Sequence, residues 1–224
     1  NACLRRFLRE RDVLVQRTED DLQAKWNHPE WWIRKLQKQY PEHWQRILQA
    51  NNQAAPMTWR VNTARTTRDA LQARWAEAGI DAVSVGEHGL TLTQPRPVKE
   101  IPGFSEGLCS VQDAAAQCAA QLLLKRAAVM APNKLRVLDA CAAPGGKTAH
   151  LLELLGDKGD VVALDIDAQR SDRIHQNLQR LGLKAEVIAA DAGQPDKWWD
   201  GQLFDAILLD APCTASGIVR RHPD

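Results

Sequence analysis

The chain has 224 residues, 44% hydrophobic and 25% charged, which is enough to bury a sizeable core in one large domain or two smaller ones. A formal net charge of +1 excludes a strongly polycationic or acidic chain, and no apolar run reaches the roughly 18 residues that a membrane helix needs. The N terminus interleaves arginines with hydrophobics instead of presenting a secretory leader, so a soluble, cytoplasmic protein is expected.

Charge is unevenly spread: residues 1–100 hold 16 basic and 12 acidic side chains, whereas residues 101–224 hold 13 and 16. The basic tilt of the first half suits a phosphate-bearing partner, although solvated helical faces carry similar excesses. Cys3, Cys109, Cys118, Cys141 and Cys213 form no C-x-x-C pair. An odd, scattered set of cysteines predicts a reducing compartment, with neither a disulfide framework nor a metal site.

Residues 1–55 read as helical. Leu4, Phe7, Leu8 and Val15 mark a first helix, and Pro29 and Pro41 each stand at the start of a further amphipathic segment. Trp32 and Leu36, then Trp44 and Leu48, are four residues apart and so share a helical face. Trp31 and Trp32 beside Arg34, Lys35 and Lys38 have the makings of a stacking surface, but tryptophans of a helix core are the simpler account.

Residues 56–98 change texture. A strand is predicted over 57–62, a helix over 67–78 closed by Gly79, and a hairpin pairing 82–85 with 90–93 around Glu87-His88-Gly89. Pro95 and Pro97 mark a linker, and residues 102–107 a turn-rich entry to the next domain.

Over residues 99–224 short apolar runs at 135–138, 161–164, 185–189 and 206–209 alternate with helical stretches at 148–155 and 168–181. That alternation predicts a doubly wound α/β domain on a parallel sheet, whose ligand sits outside the C-terminal strand edge. The residues at those edges form a set: Asp139-Ala140-Cys141-Ala142-Ala143-Pro144-Gly145-Gly146-Lys147-Thr148, then Asp165, then Asp191, then Asp210-Ala211-Pro212-Cys213.

Gly146-Lys147-Thr148 looks like the end of a phosphate loop, but that motif needs glycine where Cys141 stands. A dinucleotide turn G-x-G-x-x-G is also absent, yet Asp165 lies twenty residues after Gly145, as a ribose-binding carboxylate would. A nucleoside without phosphates satisfies both facts, and S-adenosylmethionine is such a ligand. For any one aspartate alone, a helix N-cap is an equal reading; four at successive strand ends favour the ligand.

The tract at 139–148, together with Asp210-Ala211-Pro212-Cys213 and Gln112-Asp113, resembles the RNA (cytosine-5) methyltransferase family. Residues 1–102, with His28-Pro29-Glu30-Trp31 and Pro56-Met57, are similar more narrowly to the Sun/Fmu-type bacterial branch acting on 16S ribosomal RNA. The resemblance implies a Rossmann-like methyltransferase domain, incomplete at its C terminus, over residues 99–224. It also implies a small α+β RNA-binding subdomain over 56–98, and the end of a NusB-like helical domain plus linker helices over 1–55.

It further implies that Cys141, Ala142, Ala143, Pro144, Gly145, Gly146, Lys147, Asp165, Arg170, Asp191 and Asp210 contact S-adenosylmethionine. Ala192-Gly193-Gln194 departs from the family's usual glycine and basic residue, which leaves the contacts of that loop open. Within the family the adduct-forming cysteine lies in a later Thr-Cys motif, expected beyond Asp224, while the Pro-Cys cysteine, here Cys213, assists adduct release. Read from the residues alone, Cys213 as nucleophile or as a buried inert thiol remains open.

The expected partner is RNA, with 16S ribosomal RNA favoured. Arg60, Arg65 and Arg68 are the candidates for phosphate contacts, and a monomer is expected. The alternatives are a non-catalytic RNA-binding or assembly protein that keeps the fold and, less favoured, a nicotinamide-dependent oxidoreductase.

Overall fold

A computed structural model describes residues 2–130 and 134–213, so residues 221–224, where the sequence reading ended, lie outside the described residues. The chain divides into a helical unit over residues 1–55 and an α/β unit over residues 56–212.

The helical unit holds α1 (Ala2–Thr18), α2 (Leu22–Trp26), α3 (Glu30–Gln39) and α4 (Trp44–Asn51). Asp21 caps α2 by accepting from the backbone N–H of Gln23 and Ala24, and Asn27 closes it in the left-handed region. Pro29 precedes α3 as predicted, but Pro41 falls in a turn and α4 starts at Trp44. Ile33, Leu36 and Leu48 are buried together, with Trp26, Trp32, Trp44 and Ile47 packed around them. Trp32 and Trp44 are thus core residues, whereas Trp31 is 65% exposed.

The second unit begins with an antiparallel sheet. Its strands β1 (Met57–Val61), β2 (Ala82–Val85) and β3 (Gly89–Leu92) and its helix α5 (Arg68–Glu77) match the expected β-α-β-β pattern. A fourth strand, β4 (Cys109–Val111), lies past the expected boundary at residue 98 and pairs with β1, giving the order β2-β3-β1-β4. Three residues between Leu108 and Gln112 are too short for an apolar alternation to register, which is why the strand was not legible. Trp59, Trp75, Leu71 and Leu90 fill the core of this layer, with Trp59 edge-on to both Trp75 and Phe104.

Helix α6 (Ala114–Met130) leads into the parallel sheet of β5 (Leu135–Ala140), β6 (Gly159–Asp165), β7 (Glu186–Ala189) and β8 (Ala206–Leu209), ordered β7-β6-β5-β8. Helix α7 (Gly146–Leu155) connects β5 to β6 and α8 (Ala168–Leu181) connects β6 to β7. β5 and β6 are apolar on both faces, as the interior of a helix-covered parallel sheet requires. Helix α7 is buried nearly all round, and α8 buries one stripe, Ser171, Ile174, Leu178 and Leu181. The chain runs outward from β5 through β6 to β7, then returns to the other side of β5 as β8, so the strand order reverses beside β5. Among the described residues no helix is long and apolar enough to cross a membrane, and no cluster of His, Cys, Asp and Glu could hold a metal.

Candidate active site

Register places the strand tips in one row: Ala140 lies opposite both Leu164 and Leu209, and Asp165 opposite Ala189. The loop after β5, Asp165, Asp191 and Asp210 therefore lie along the same carboxyl edge, with β5 at the reversal point.

The loop 141–145 is shaped by its own backbone. Cys141 adopts φ +62° and Gly145 φ +93°, and a Cβ on Gly145 would stand 3.1 Å from the Ile174 Cα, so glycine there lets α8 close against the turn. At Gly146 the situation differs: a Cβ would meet nothing nearer than the Gln112 amide nitrogen at 4.0 Å. Protein packing does not demand that glycine, and its bare face leaves room for a ligand. The first turn of α7 has no side-chain cap, so its N–H groups are available to a ligand's acceptor group, such as the carboxylate of a bound amino-acid moiety.

Asp165 is 3% exposed and binds the loop directly: its Oδ2 accepts from Ala143 N–H at 2.9 Å and its Oδ1 from Asp167 N–H at 3.1 Å. The N-cap of α8 is Asp167, which accepts from Gln169 and Arg170 N–H, so Asp165 is freed from that task. Each Asp165 oxygen keeps a lone pair for the hydroxyls of a sugar. Arg170 bridges the two elements, donating to Ala143 O at 3.1 Å with a second nitrogen 3.8 Å from Asp165. Pro144 O accepts from Asn177, a further tie between the turn and α8.

Across the reversal point Lys147 donates to Asp210, which links the start of α7 to the tip of β8. Asp191 turns its carboxylate onto its own loop, accepting from Gly193 N–H and the Gln194 amide, both at 2.9 Å; these bonds hold it below the usual carboxylate range. Sequence reading left that loop open, and in the structure Gln194 takes a local role.

Beneath the turn lies Asp139, 1% exposed, whose Oδ2 accepts from the Thr148 hydroxyl at 2.6 Å while Oδ1 has no partner. Burial pushes its carboxyl up to about 6; the Thr148 bond and Lys147 oppose the rise, and Asp210 and Asp165 add to it. Cys141 is raised as well, by burial first and then by the carboxylates of Asp165, Asp139 and Asp210. Cys109 is pushed up to about 12 by burial and is a packing residue. Cys213, the last described residue, is exposed.

The arginines predicted to hold RNA are placed otherwise. Arg60 is 1% exposed and donates to Glu153, Gln112 and Gly146 O, so it cannot present a guanidinium to phosphate, and that expectation is corrected. Both faces of β1 are covered, so a charge on this strand is buried whichever face it points to. Arg65 donates to Glu106 O and Leu181 O, and Arg68 to Gly86 O and Glu87 O, so their N–H groups are partly engaged, though neither side chain is buried. Sequence reading missed Glu153; a lone carboxylate within Leu151-Leu152-Glu153-Leu154-Leu155 was the available signal, since such a charge needs a partner.

Two consecutive family models match the chain: the RsmF/B-like ferredoxin-like domain over residues 28–99 and the 16S rRNA methyltransferase RsmB/F over residues 127–224. The protein named ribosomal RNA small subunit methyltransferase B from Pseudomonas syringae pv. tomato is 47% identical, with 100% of this chain and 49% of the relative covered. The protein of the same name from Vibrio cholerae serotype O1 is 48% identical, over 100% of this chain and 50% of its own length. The chain thus spans about half the length of these curated relatives. The solved structure of a methyltransferase homolog protein from Pyrococcus horikoshii superposes with a TM-score of 0.71 at 28% identity, over 89% of this chain and 64% of that one. With a ferredoxin-like layer followed by a Rossmann-like layer, and with the two family models and relatives along its whole length in agreement, the chain belongs to the RsmB/F methyltransferase family.

Proposed function

We propose that the full-length protein transfers a methyl group from S-adenosylmethionine to C5 of a cytosine in RNA, with 16S ribosomal RNA as substrate. The observation that carries this reading is the single carboxyl edge, where the bare face of Gly146, the uncapped start of α7, and Asp165, Asp191 and Asp210 stand together. When bound there, S-adenosylmethionine supplies an electrophilic methyl on a sulfonium that departs as a neutral thioether.

The residues have distinct tasks. Asp165 and Arg170 fix the turn at 141–147 and leave carboxylate lone pairs for ribose hydroxyls, while the first turn of α7 and Lys147 attract the carboxylate of the amino-acid end. Asp191, at the tip of β7, would be the residue of this set nearest the base of the nucleoside. Cytosine C5 is too weak a nucleophile to accept methyl unaided; addition of a thiolate at C6 makes C5 electron-rich, and loss of the C5 proton afterwards expels the thiol. The attacking thiolate is assigned to the family's Thr-Cys motif and release to Cys213. The target base must leave its stack, which favours an exposed loop of structured RNA.

The test is transfer of labelled methyl from S-adenosylmethionine to 16S ribosomal RNA by the full-length protein, followed by nucleoside analysis. Label in 5-methylcytidine is expected; label in another nucleoside, or none, refutes the assignment. DNA and transfer RNA offered in parallel define the substrate class.

A further inference from the structure

The 141–147 turn is held from the antiparallel layer of its own unit. Arg60, in β1 of the antiparallel layer, donates through Nε and Nη2 to the two oxygens of Glu153 on α7, at 3.0 and 2.8 Å. Its remaining nitrogen, Nη1, donates to the side-chain Oε1 of Gln112 at 2.6 Å and to Gly146 O at 2.9 Å. Gly146 is the residue whose bare face borders the proposed ligand. The Arg60 and Glu153 side chains are 1% and 2% exposed, so the pair lies out of reach of bulk solvent and salt.

An ion pair that only joined two layers would need Glu153 and nothing more. The guanidinium fork reaches further: two nitrogens grip α7 through the side chain of Glu153, and the third binds the carbonyl at the helix's first residue. Two points of contact, seven residues apart on one helix, fix both its position and its rotation. Gln112 joins the same nitrogen and places its amide beside Gly146. The same contact surface is reinforced at α8, where Arg180 donates to Phe104 O, Cys109 O and Ser110 and stacks over Phe104 with 4.1 Å between guanidinium carbon and ring centroid.

We propose that Arg60 is a positioning residue for the methyl-donor site: from its buried pair with Glu153 it sets the first turn of α7 through Gly146 O, so that the antiparallel layer controls affinity for S-adenosylmethionine. This rests on the cofactor reading given above.

Stability and positioning are separated by a double replacement in the full-length protein. Arg60→Met alone strands a buried carboxylate and unfolds the region whatever its role. Arg60→Met combined with Glu153→Met removes both charges at similar volume, restoring the fold without the contact to Gly146 O. The double variant is expected to melt near the parent temperature yet to bind S-adenosylmethionine about tenfold more weakly in calorimetry, equivalent to about 1.4 kcal/mol. Amide exchange in the first turn of α7, measured without ligand, should also quicken.

A double variant that folds, binds and exchanges like the parent overturns the proposal and leaves Arg60 a structural clamp. Should the double variant not fold, Arg60→Lys decides. Its single ammonium can keep Glu153 but cannot span to Gly146 O, so affinity should stay low while stability partly recovers. Affinity fully restored by lysine overturns the proposal. A parent protein that binds no S-adenosylmethionine overturns the cofactor reading, and this inference with it.

Discussion

Asp139 sits directly beneath the 141–147 turn, and its protonation should be visible in the stability of the fold. Its carboxyl is raised from 3.8 to about 6, chiefly by burial. A carboxyl whose folded value exceeds its unfolded value binds its proton more tightly in the folded state. The stabilisation is therefore complete below about pH 3.8 and lost as pH rises through about 6. That difference corresponds to about 3 kcal/mol of cost for carrying the ionised group above that range.

Asp139→Asn keeps the shape and an oxygen to accept from the Thr148 hydroxyl but does not titrate. Urea unfolding of parent and variant from pH 4 to pH 8 should give nearly equal stabilities at the acid end. At the neutral end the variant should be more stable, by up to about 3 kcal/mol. His150 runs the other way: burial, aided by Arg60 and His88, lowers it to about 3, so its contribution is present above pH 6.5 and lost as pH falls toward 3. Since both proteins carry His150, the difference between the two curves isolates Asp139. A flat difference, or one that grows toward acid, refutes the reasoning.

Three further outcomes follow from the same geometry. Gly145→Ala places a Cβ 3.1 Å from the Ile174 backbone at φ +93° and should cost roughly 2–4 kcal/mol in denaturant unfolding, whereas Gly146→Ala should fold normally and lose affinity for S-adenosylmethionine. Neutralising Arg65 and Arg68 together should reduce the salt dependence of RNA binding by about one to two phosphate contacts; an unchanged slope removes them from the interface. In the full-length protein Cys213→Ala should let a covalent RNA adduct accumulate on denaturing gels, and a variant that forms no adduct makes Cys213 the attacking thiol instead.

The parallel sheet and the strand-tip residues were legible because each short apolar run ends in a turn whose chemistry is local. The 141–147 turn, Asp165 and Asp210 fall on the carboxyl edge, beside the point where the strand order reverses. Register between strands carries no such local mark, and β4, three residues long, is too short for an alternation to show. Arg60 shows the deeper limit. It was a candidate for phosphate contacts, but its partner lies 93 residues away on a helix of the other layer, and only tertiary packing brings the two together. The tryptophans divided on the same ground: Trp32 and Trp44 face the helical core, and Trp31, one residue round the helix, does not.

Titration calorimetry of the full-length protein with S-adenosylmethionine, repeated with Asp165→Ala and with NAD, tests most directly whether the carboxyl edge encloses one methyl donor. One molecule should bind per chain, at least tenfold more weakly after the Asp165 replacement, and NAD should give no heat. Undiminished binding by Asp165→Ala, or preference for NAD, contradicts the account.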